Sequence, residues 1–117
     1  MATEREVFEA KKLESKYGVV GKVAARYRMA GYAIEVVDEK EGAPVNFIAS
    51  KKGEKLAVKV VYKSGKVARG LVDKLAEESN KAGARPVLVL YGAGPRVTNE
   101  LLETIRASGI GLRRVRT

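Results

Sequence analysis

Hydrophobic residues recur at three- and four-residue steps in four stretches of the chain, with charged residues between them, which is the pattern of amphipathic helices. The first two stretches lie on either side of Gly18, and Gly31 ends the second, which is a separate helix or a continuation of the first. Gly83 ends the third, and the fourth has Thr98 as its candidate N-cap and Gly109 as its end. The pattern therefore predicts helices over residues 2–17, 19–30 and 66–82, and a fourth between Thr98 and Gly109.

Short runs of β-branched and apolar residues, bounded by glycine, proline or charged residues, predict strands between these helices. Residues 51–54, with the sequence KKGE, have the composition of a hairpin turn. The run from Val87 to Tyr91 is apolar throughout, as expected for an interior strand covered on both faces. The predicted strands cover residues 32–37, 45–50, 55–63, 87–91 and 110–115. The order helix, three strands, helix, strand, helix, strand predicts an α/β fold with a mixed sheet and crossover helices.

Composition narrows the classes of protein that fit. At 117 residues we expect one domain, and no apolar stretch approaches the roughly 20 residues of a membrane helix. Residues 1–9 carry three glutamates and no apolar core, so we expect neither a secretory nor a transit peptide, and a cytoplasmic protein. Cysteine and histidine are absent, which excludes disulfides, thiolate metal sites and histidine bases. Abundant lysine, arginine, glutamate and valine suit a thermophile.

The net charge of +9 is unevenly distributed along the chain. Residues 40–69 carry eight lysines and arginines against two acids, a net charge of +6, and residues 95–117 carry five against two, a net charge of +3. The remaining two segments, 1–39 and 70–94, are each neutral. An evenly basic surface would merely keep a thermophile protein in solution, but concentration in two segments favours a polyanionic partner.

The chain resembles the PD-(D/E)xK nucleases, and within them the archaeal Holliday junction resolvases and restriction-endonuclease-like proteins. The likeness rests on the element order, on Gly31-Tyr32 after a helix, on Pro44-Val45-Asn46 at the start of a strand, and on the following strand with Lys59 and Val61. It implies a restriction-endonuclease-like mixed β-sheet flanked by helices, of order α-β-β-β-α-β-α-β. Residues 1–117 would form a single nuclease-like domain, with residues 1–17 as an N-terminal helical extension and residues 18–117 as the core.

The resemblance also implies where a metal site would lie. The family places an aspartate where Asn46 stands and an acid where Lys59 stands, both as Mg²⁺ ligands, and a lysine where Val61 stands. Residues two apart on a strand share a face, so Lys59 and Val61 would project together towards Asn46. Mg²⁺ prefers carboxylates and water, so we expect no metal and no catalysis here. Glu35 or Glu54 could rebuild the site, but solvent-facing roles suit both better, and Asn46 could simply satisfy a buried turn.

These positions lead to three hypotheses of function. The first is a non-catalytic nucleic-acid-binding module, for DNA or RNA, that grips the phosphate backbone through a basic strand face. The second is a divergent, Mg²⁺-dependent, structure-selective endonuclease with a migrated active site. The third is an inactive scaffold subunit of a nuclease or ribonucleoprotein assembly. As protein partners we expect a second copy of the chain in a homodimer, or the other subunits of a larger assembly. The candidate nucleic-acid-binding residues are Lys51, Lys52, Lys55, Lys59, Lys63, Lys66, Arg69, Arg113, Arg114 and Arg116. The last three could equally form a frayed tail, and a helix beginning at residues 65–67 would offer its N-terminal dipole to a phosphate.

Overall fold

The helices and strands of the chain follow the predicted order, with two short strands added. The computed structural model of the protein describes residues 3–116, so residues 1, 2 and 117 of the expected single domain, and Ala2 of the first predicted helix, lie outside the described residues. In chain order the elements are α1 (Glu4–Met29), β1 (Ala33–Val36), β2 (Phe47–Lys51), β3 (Glu54–Val61), β4 (Gly65–Lys66), α2 (Arg69–Lys81), β5 (Arg85–Tyr91), β6 (Pro95–Arg96), α3 (Asn99–Ala107) and β7 (Gly111–Val115).

Five of the strands form one mixed sheet in the order β1-β2-β3-β5-β7. The first three form an antiparallel meander, whose tight turn uses Lys52 at φ 45° and Gly53 at φ 82°. Strands β3, β5 and β7 run parallel, and α2 and α3 make the two crossovers. The predicted fold class is confirmed, and this mixed sheet with flanking helices is compatible with a nuclease-like fold.

The sheet separates two hydrophobic layers. On one face, Val20 and Val23 of α1 pack with Val58 and Val60 of β3. On the other face, the core of α2 and α3 packs against the alternate residues of β3, which include Val61. Since strand residues alternate between faces, Lys59 points to the α2 and α3 side. None of the described helices is long and apolar enough to cross a membrane.

Helix α1 is a folded-back pair of helical limbs rather than one rod. Gly18 has φ 59° and ψ −130°, outside the helical region. Arg28 forms an ion pair with Glu9 at 2.6 Å, although a straight helix would hold residues 19 apart at roughly 28 Å. A Cβ on Gly21 would lie 2.0 Å from the carbonyl oxygen of Leu13, so the limbs touch through backbone. The break predicted at Gly18 is therefore present.

The start of α2 differs from the prediction. The helix begins at Arg69 rather than at residue 66, because Gly65–Lys66 forms β4, which pairs in parallel with β6. The predicted helix start at residues 65–67 is therefore wrong, and its dipole lies three or four residues further along the chain. By contrast, the predicted cap of α3 is present: the Thr98 hydroxyl accepts a hydrogen bond from the Leu101 amide at 3.2 Å.

Candidate functional site

Asn46 lies directly before β2 and is completely buried. Its side-chain nitrogen donates hydrogen bonds to the carbonyl oxygens of Asp38 at 2.7 Å and Lys40 at 3.0 Å. Its side-chain oxygen accepts a hydrogen bond from the amide of Val60 in β3 at 2.8 Å. A carboxylate could replace only the last of these bonds, because it has no donor. The Asn46 amide thus ties the loop of residues 37–46 to the sheet.

Lys59 is the neighbour of Asn46 on β3. Continuing the register beyond the pair of Phe47 and Val58 places Lys59 opposite Asn46. The Lys59 side chain is fully buried, and its ammonium donates a hydrogen bond to the main-chain carbonyl of Glu41 in the same loop. Burial lowers the pKa of Lys59 from 10.5 to about 8, while the nearby carboxylates of Glu41 and Asp38 oppose that shift.

The three positions that the resemblance assigns to a metal site do not fit a divalent cation. Asn46 offers one amide oxygen, which is already bonded to a backbone amide. Lys59 brings a positive charge, and Val61 is part of the apolar core beneath α2 and α3. Hard cations require several oxygen ligands, preferably anionic ones. The chemistry of this set is that of an internal clamp on a loop.

The two carboxylates considered as replacements lie elsewhere. Glu35 is exposed on the edge strand β1. Glu54 lies at the hairpin, five residues and so roughly 17 Å along β3 from Lys59. It accepts a hydrogen bond from the Tyr32 hydroxyl at 3.2 Å and lies 4.0 Å from a guanidinium nitrogen of Arg85. Within residues 3–116, no three acidic, histidine or cysteine side chains are grouped as a metal ion would require.

Three of the candidate binding residues lie at the hairpin end of the sheet, and we call Lys51, Lys52 and Lys55 the hairpin cluster. All three are exposed. The Lys51 ammonium donates to the carbonyl of Ala30 at 2.7 Å, and that of Lys55 donates to the carbonyl of Ala82, just after α2, at 3.0 Å. These contacts hold two of the three ammonium groups on backbone carbonyls, and the Lys51 ammonium also lies 5.4 Å from the centroid of the Tyr32 ring.

A second group lies at the opposite end of the sheet, and we call it the distal cluster: Lys63, Lys66, Arg69, Arg114 and Arg116. All five are exposed. Lys63 pairs with the carboxylate of Glu41 at 3.1 Å. The Arg114 guanidinium donates to the carbonyls of Gly92 at 2.6 Å and Pro95 at 2.8 Å. Because Arg113 and Arg114 belong to β7, the alternative of a frayed tail is wrong for these two residues.

The predicted strand face does not exist as a continuous exposed surface. The predicted face contained Lys59 and Lys63, with Lys55 and Lys51 as possible members, but Lys59 is buried beneath the loop of residues 37–46. The eight residues of β3 separate the hairpin and distal clusters by roughly 26 Å. The structure therefore brings the candidate residues together at two ends of the sheet instead of along one strand.

A further basic surface was not predicted. An open groove of about 830 Å³, which we call the α1-face groove, lies between the second limb of α1 and strands β5 and β7. Its lining includes Arg26, Lys51, Arg85 and Arg113. Arg26 and Arg85 lie in segments whose net charge is zero, so a count of charge along the chain could not indicate them. Alternation along the predicted strand of residues 110–115 could have separated Arg113 from Arg114, but it carries no information about Arg26 or Arg85.

Comparison with known proteins supports the fold alone. No protein-family model and no curated protein matches the chain. Among solved structures, the chain is similar to one described as Pyrococcus furiosus SfsA in complex with Ca²⁺, with a TM-score of 0.51 and 12% identical residues. The match covers 89% of this chain and 56% of that protein, so the chain spans little more than half the length of SfsA.

Proposed function

We propose that this α/β domain is a non-catalytic nucleic-acid-binding module, a degenerate relative of the PD-(D/E)xK nucleases that holds the phosphate backbone of DNA or RNA. The observation that carries the proposal is the burial of Lys59, hydrogen-bonded to the loop of residues 37–46, at the position where that superfamily has an acidic ligand. The interior of the would-be active site is occupied by the protein's own cation and its own backbone.

Electrostatics oppose metal-dependent cleavage at this place. With an effective dielectric constant near 20, a divalent ion 4 Å from the Lys59 ammonium would be repelled by about 8 kcal/mol. Neutralising the lysine would remove that repulsion but would supply no anionic ligand. SfsA was solved with Ca²⁺, and this chain has no carboxylate at Asn46, Lys59 or Val61 with which to hold such an ion.

Binding of phosphates requires none of that chemistry. The hairpin and distal clusters expose eight lysine and arginine side chains, and the chain has a net charge of +9. Each phosphate that such a side chain neutralises releases a counterion from the nucleic acid, which makes affinity strongly dependent on salt. The proposal therefore assigns the hold on the backbone to these exposed clusters, without Lys59.

The test is to incubate the protein with linear and branched DNA and with RNA, with Mg²⁺ or Mn²⁺, and to measure binding and cleavage separately. We expect binding that weakens steeply with salt and no cleavage. For duplex DNA, the logarithm of the binding constant should fall with the logarithm of the salt concentration, with a slope of about −0.9 for each phosphate contacted. Lys63→Glu with Lys66→Glu should reduce both affinity and slope. Lys74→Glu, at an exposed position of α2, is the control matched in charge to Lys63→Glu alone.

Two results would contradict the proposal. One is the absence of salt-sensitive binding to every nucleic acid tested. The other is metal-dependent cleavage that is lost in Glu35→Ala, which would establish the alternative of a migrated endonuclease site. Equal loss of affinity in Lys74→Glu and in Lys63→Glu alone would show that only total charge matters, and would remove the role assigned to the distal cluster.

A further inference from the structure

The α1-face groove exists because the helices cover the two faces of the sheet unequally. Helices α2 and α3 both pack on one face. On the other face, α1 packs over the meander of β1, β2 and β3 and leaves the parallel strands β5 and β7 beside an open channel. At about 830 Å³ the channel lies within the range of about 300–1,000 Å³ that is typical of ligand pockets.

Positive charge converges on this groove from four different elements. Arg26, Lys51, Arg85 and Arg113 come from α1, β2, β5 and β7, and all are exposed. Glu54 is the single carboxylate among the described residues that line it, and it lies near Arg85. Within the described chain, neither Arg26 nor Arg113 is within ion-pair distance of a carboxylate. The groove therefore has a surplus of cations and favours an anionic occupant.

Aromatic and apolar surface accompanies the charge. The Tyr27 and Tyr32 rings are in edge-to-face contact, with centroids 5.5 Å apart, and both line the groove. Burial raises the pKa of Tyr27, and the Arg113 guanidinium near its hydroxyl opposes that rise. Val87 and Val115, on the α1 side of the sheet, add apolar lining. Cations alternating with aromatic rings are the combination by which proteins hold single-stranded nucleic acids.

We infer that the α1-face groove binds unpaired nucleotides, with Arg26, Arg85 and Arg113 contacting phosphates and Tyr32 offering its ring to a base. This inference rests on the proposed function, because it names the form of nucleic acid that the module takes. Paired bases have their faces covered within a duplex stack, so only unpaired bases can meet a ring in the groove. A duplex would instead contact the distal cluster through its phosphates alone.

The experiment compares the affinity of one labelled oligonucleotide, single-stranded and as its duplex, by fluorescence anisotropy. We expect the wild-type protein to prefer the single strand, and Arg113→Glu and Arg26→Glu each to weaken single-strand binding by about tenfold or more with little change for the duplex. Lys63→Glu is the control at the other end of the sheet. Urea unfolding of each variant tests whether these substitutions at exposed positions leave the fold intact.

A second pair of variants tests the ring rather than the charge. Tyr32→Phe should retain the affinity for the single strand, and Tyr32→Leu should lose it, because stacking requires an aromatic face. Both remove the hydrogen bond to Glu54, so that loss is matched. The chain contains five tyrosines and no tryptophan, so tyrosine emission quenched by the single strand in wild type and less in Tyr32→Leu is an independent readout.

Failure of the groove and failure of the proposed function give different results. If wild type binds nucleic acid but prefers duplex, and Arg113→Glu leaves binding intact while Lys63→Glu weakens it, the inference about the groove is wrong and the proposed function stands. If wild type binds neither single strands nor duplexes in a salt-sensitive manner, the proposed function is wrong, and the groove inference falls with it.

Discussion

Replacement of Lys59 by methionine should change how the stability of the protein depends on pH. In the folded protein burial lowers the pKa of Lys59 to about 8, against 10.5 for an unperturbed lysine. Below pH 8 the side chain is protonated in both states, and the cost of burying its charge lowers the free energy of unfolding. Between pH 8 and 10.5 the unfolded chain binds a proton that the folded protein has released, so the contribution of Lys59 to stability rises with pH.

The size of this effect follows from the difference between the two pKa values. At 1.36 kcal/mol per pH unit, a fall from 10.5 to about 8 corresponds to at most about 3 kcal/mol. We expect a smaller gain of about 1–2 kcal/mol, because the dipoles of the loop around the ammonium can reorient and screen its charge. The absolute stability of Lys59→Met is less informative, since the variant also leaves the Glu41 carbonyl without its donor.

The assay is urea unfolding of wild type and Lys59→Met from pH 7 to pH 10.5. Relative to the variant, wild type should gain stability as the pH rises above 8. Lys74→Met, which removes an exposed lysine of α2, should remain parallel to wild type throughout. A constant difference between wild type and Lys59→Met across this range, or a relative loss of stability in wild type, would refute the reasoning.

Two further changes test the internal architecture by urea unfolding at neutral pH. Asn46→Asp keeps the shape of the side chain but removes the donors to two loop carbonyls, so it should lower the free energy of unfolding by roughly 2–6 kcal/mol. The control Asn80→Asp, at an exposed helix position, should change it by less than about 0.5 kcal/mol. Equal effects of the two exchanges would contradict the role of the Asn46 amide. Gly21→Ala would place a Cβ against the Leu13 carbonyl and should lower the free energy of unfolding by about 1–3 kcal/mol or more. The control Gly70→Ala, with open space around it, should raise the free energy of unfolding by about 0.5–1 kcal/mol. If Gly21→Ala were tolerated equally well, the close contact of the two limbs of α1 would be ruled out.

Local patterns predicted much of the fold. The apolar run at Val87 and the period of α2 indicated elements that the structure contains, and Thr98 and Gly18 marked a cap and a break correctly. Strands β4 and β6 were missed because two residues are too few to show a period, and their pairing joins segments about 30 residues apart. That pairing is also what moves the start of α2 to Arg69.

The site was less predictable, because its properties arise from contacts between distant segments. Lys59 and Lys63 both belong to the predicted strand of residues 55–63, yet Lys59 is buried within β3 and Lys63 is exposed beyond its end. The difference depends on the loop of residues 37–46, whose carbonyl at Glu41 gives the ammonium a partner. The sequence suggested that Asn46 could satisfy a buried turn, but only the structure identifies its partners. The groove likewise depends on Arg26 and Arg113, which are 87 positions apart.

The loop of residues 37–46 is held by both Asn46 and Lys59, and this limits the single substitutions that these two buried positions can accept. Replacing Asn46 by aspartate alone removes two donors and leaves Lys59 in place, while replacing Lys59 by glutamate alone puts a buried carboxylate against the Glu41 carbonyl. Neither single exchange assembles the oxygen ligands that a divalent ion needs. Each single substitution towards a carboxylate metal site therefore destabilises the protein, and such a site requires several simultaneous substitutions together with a different loop.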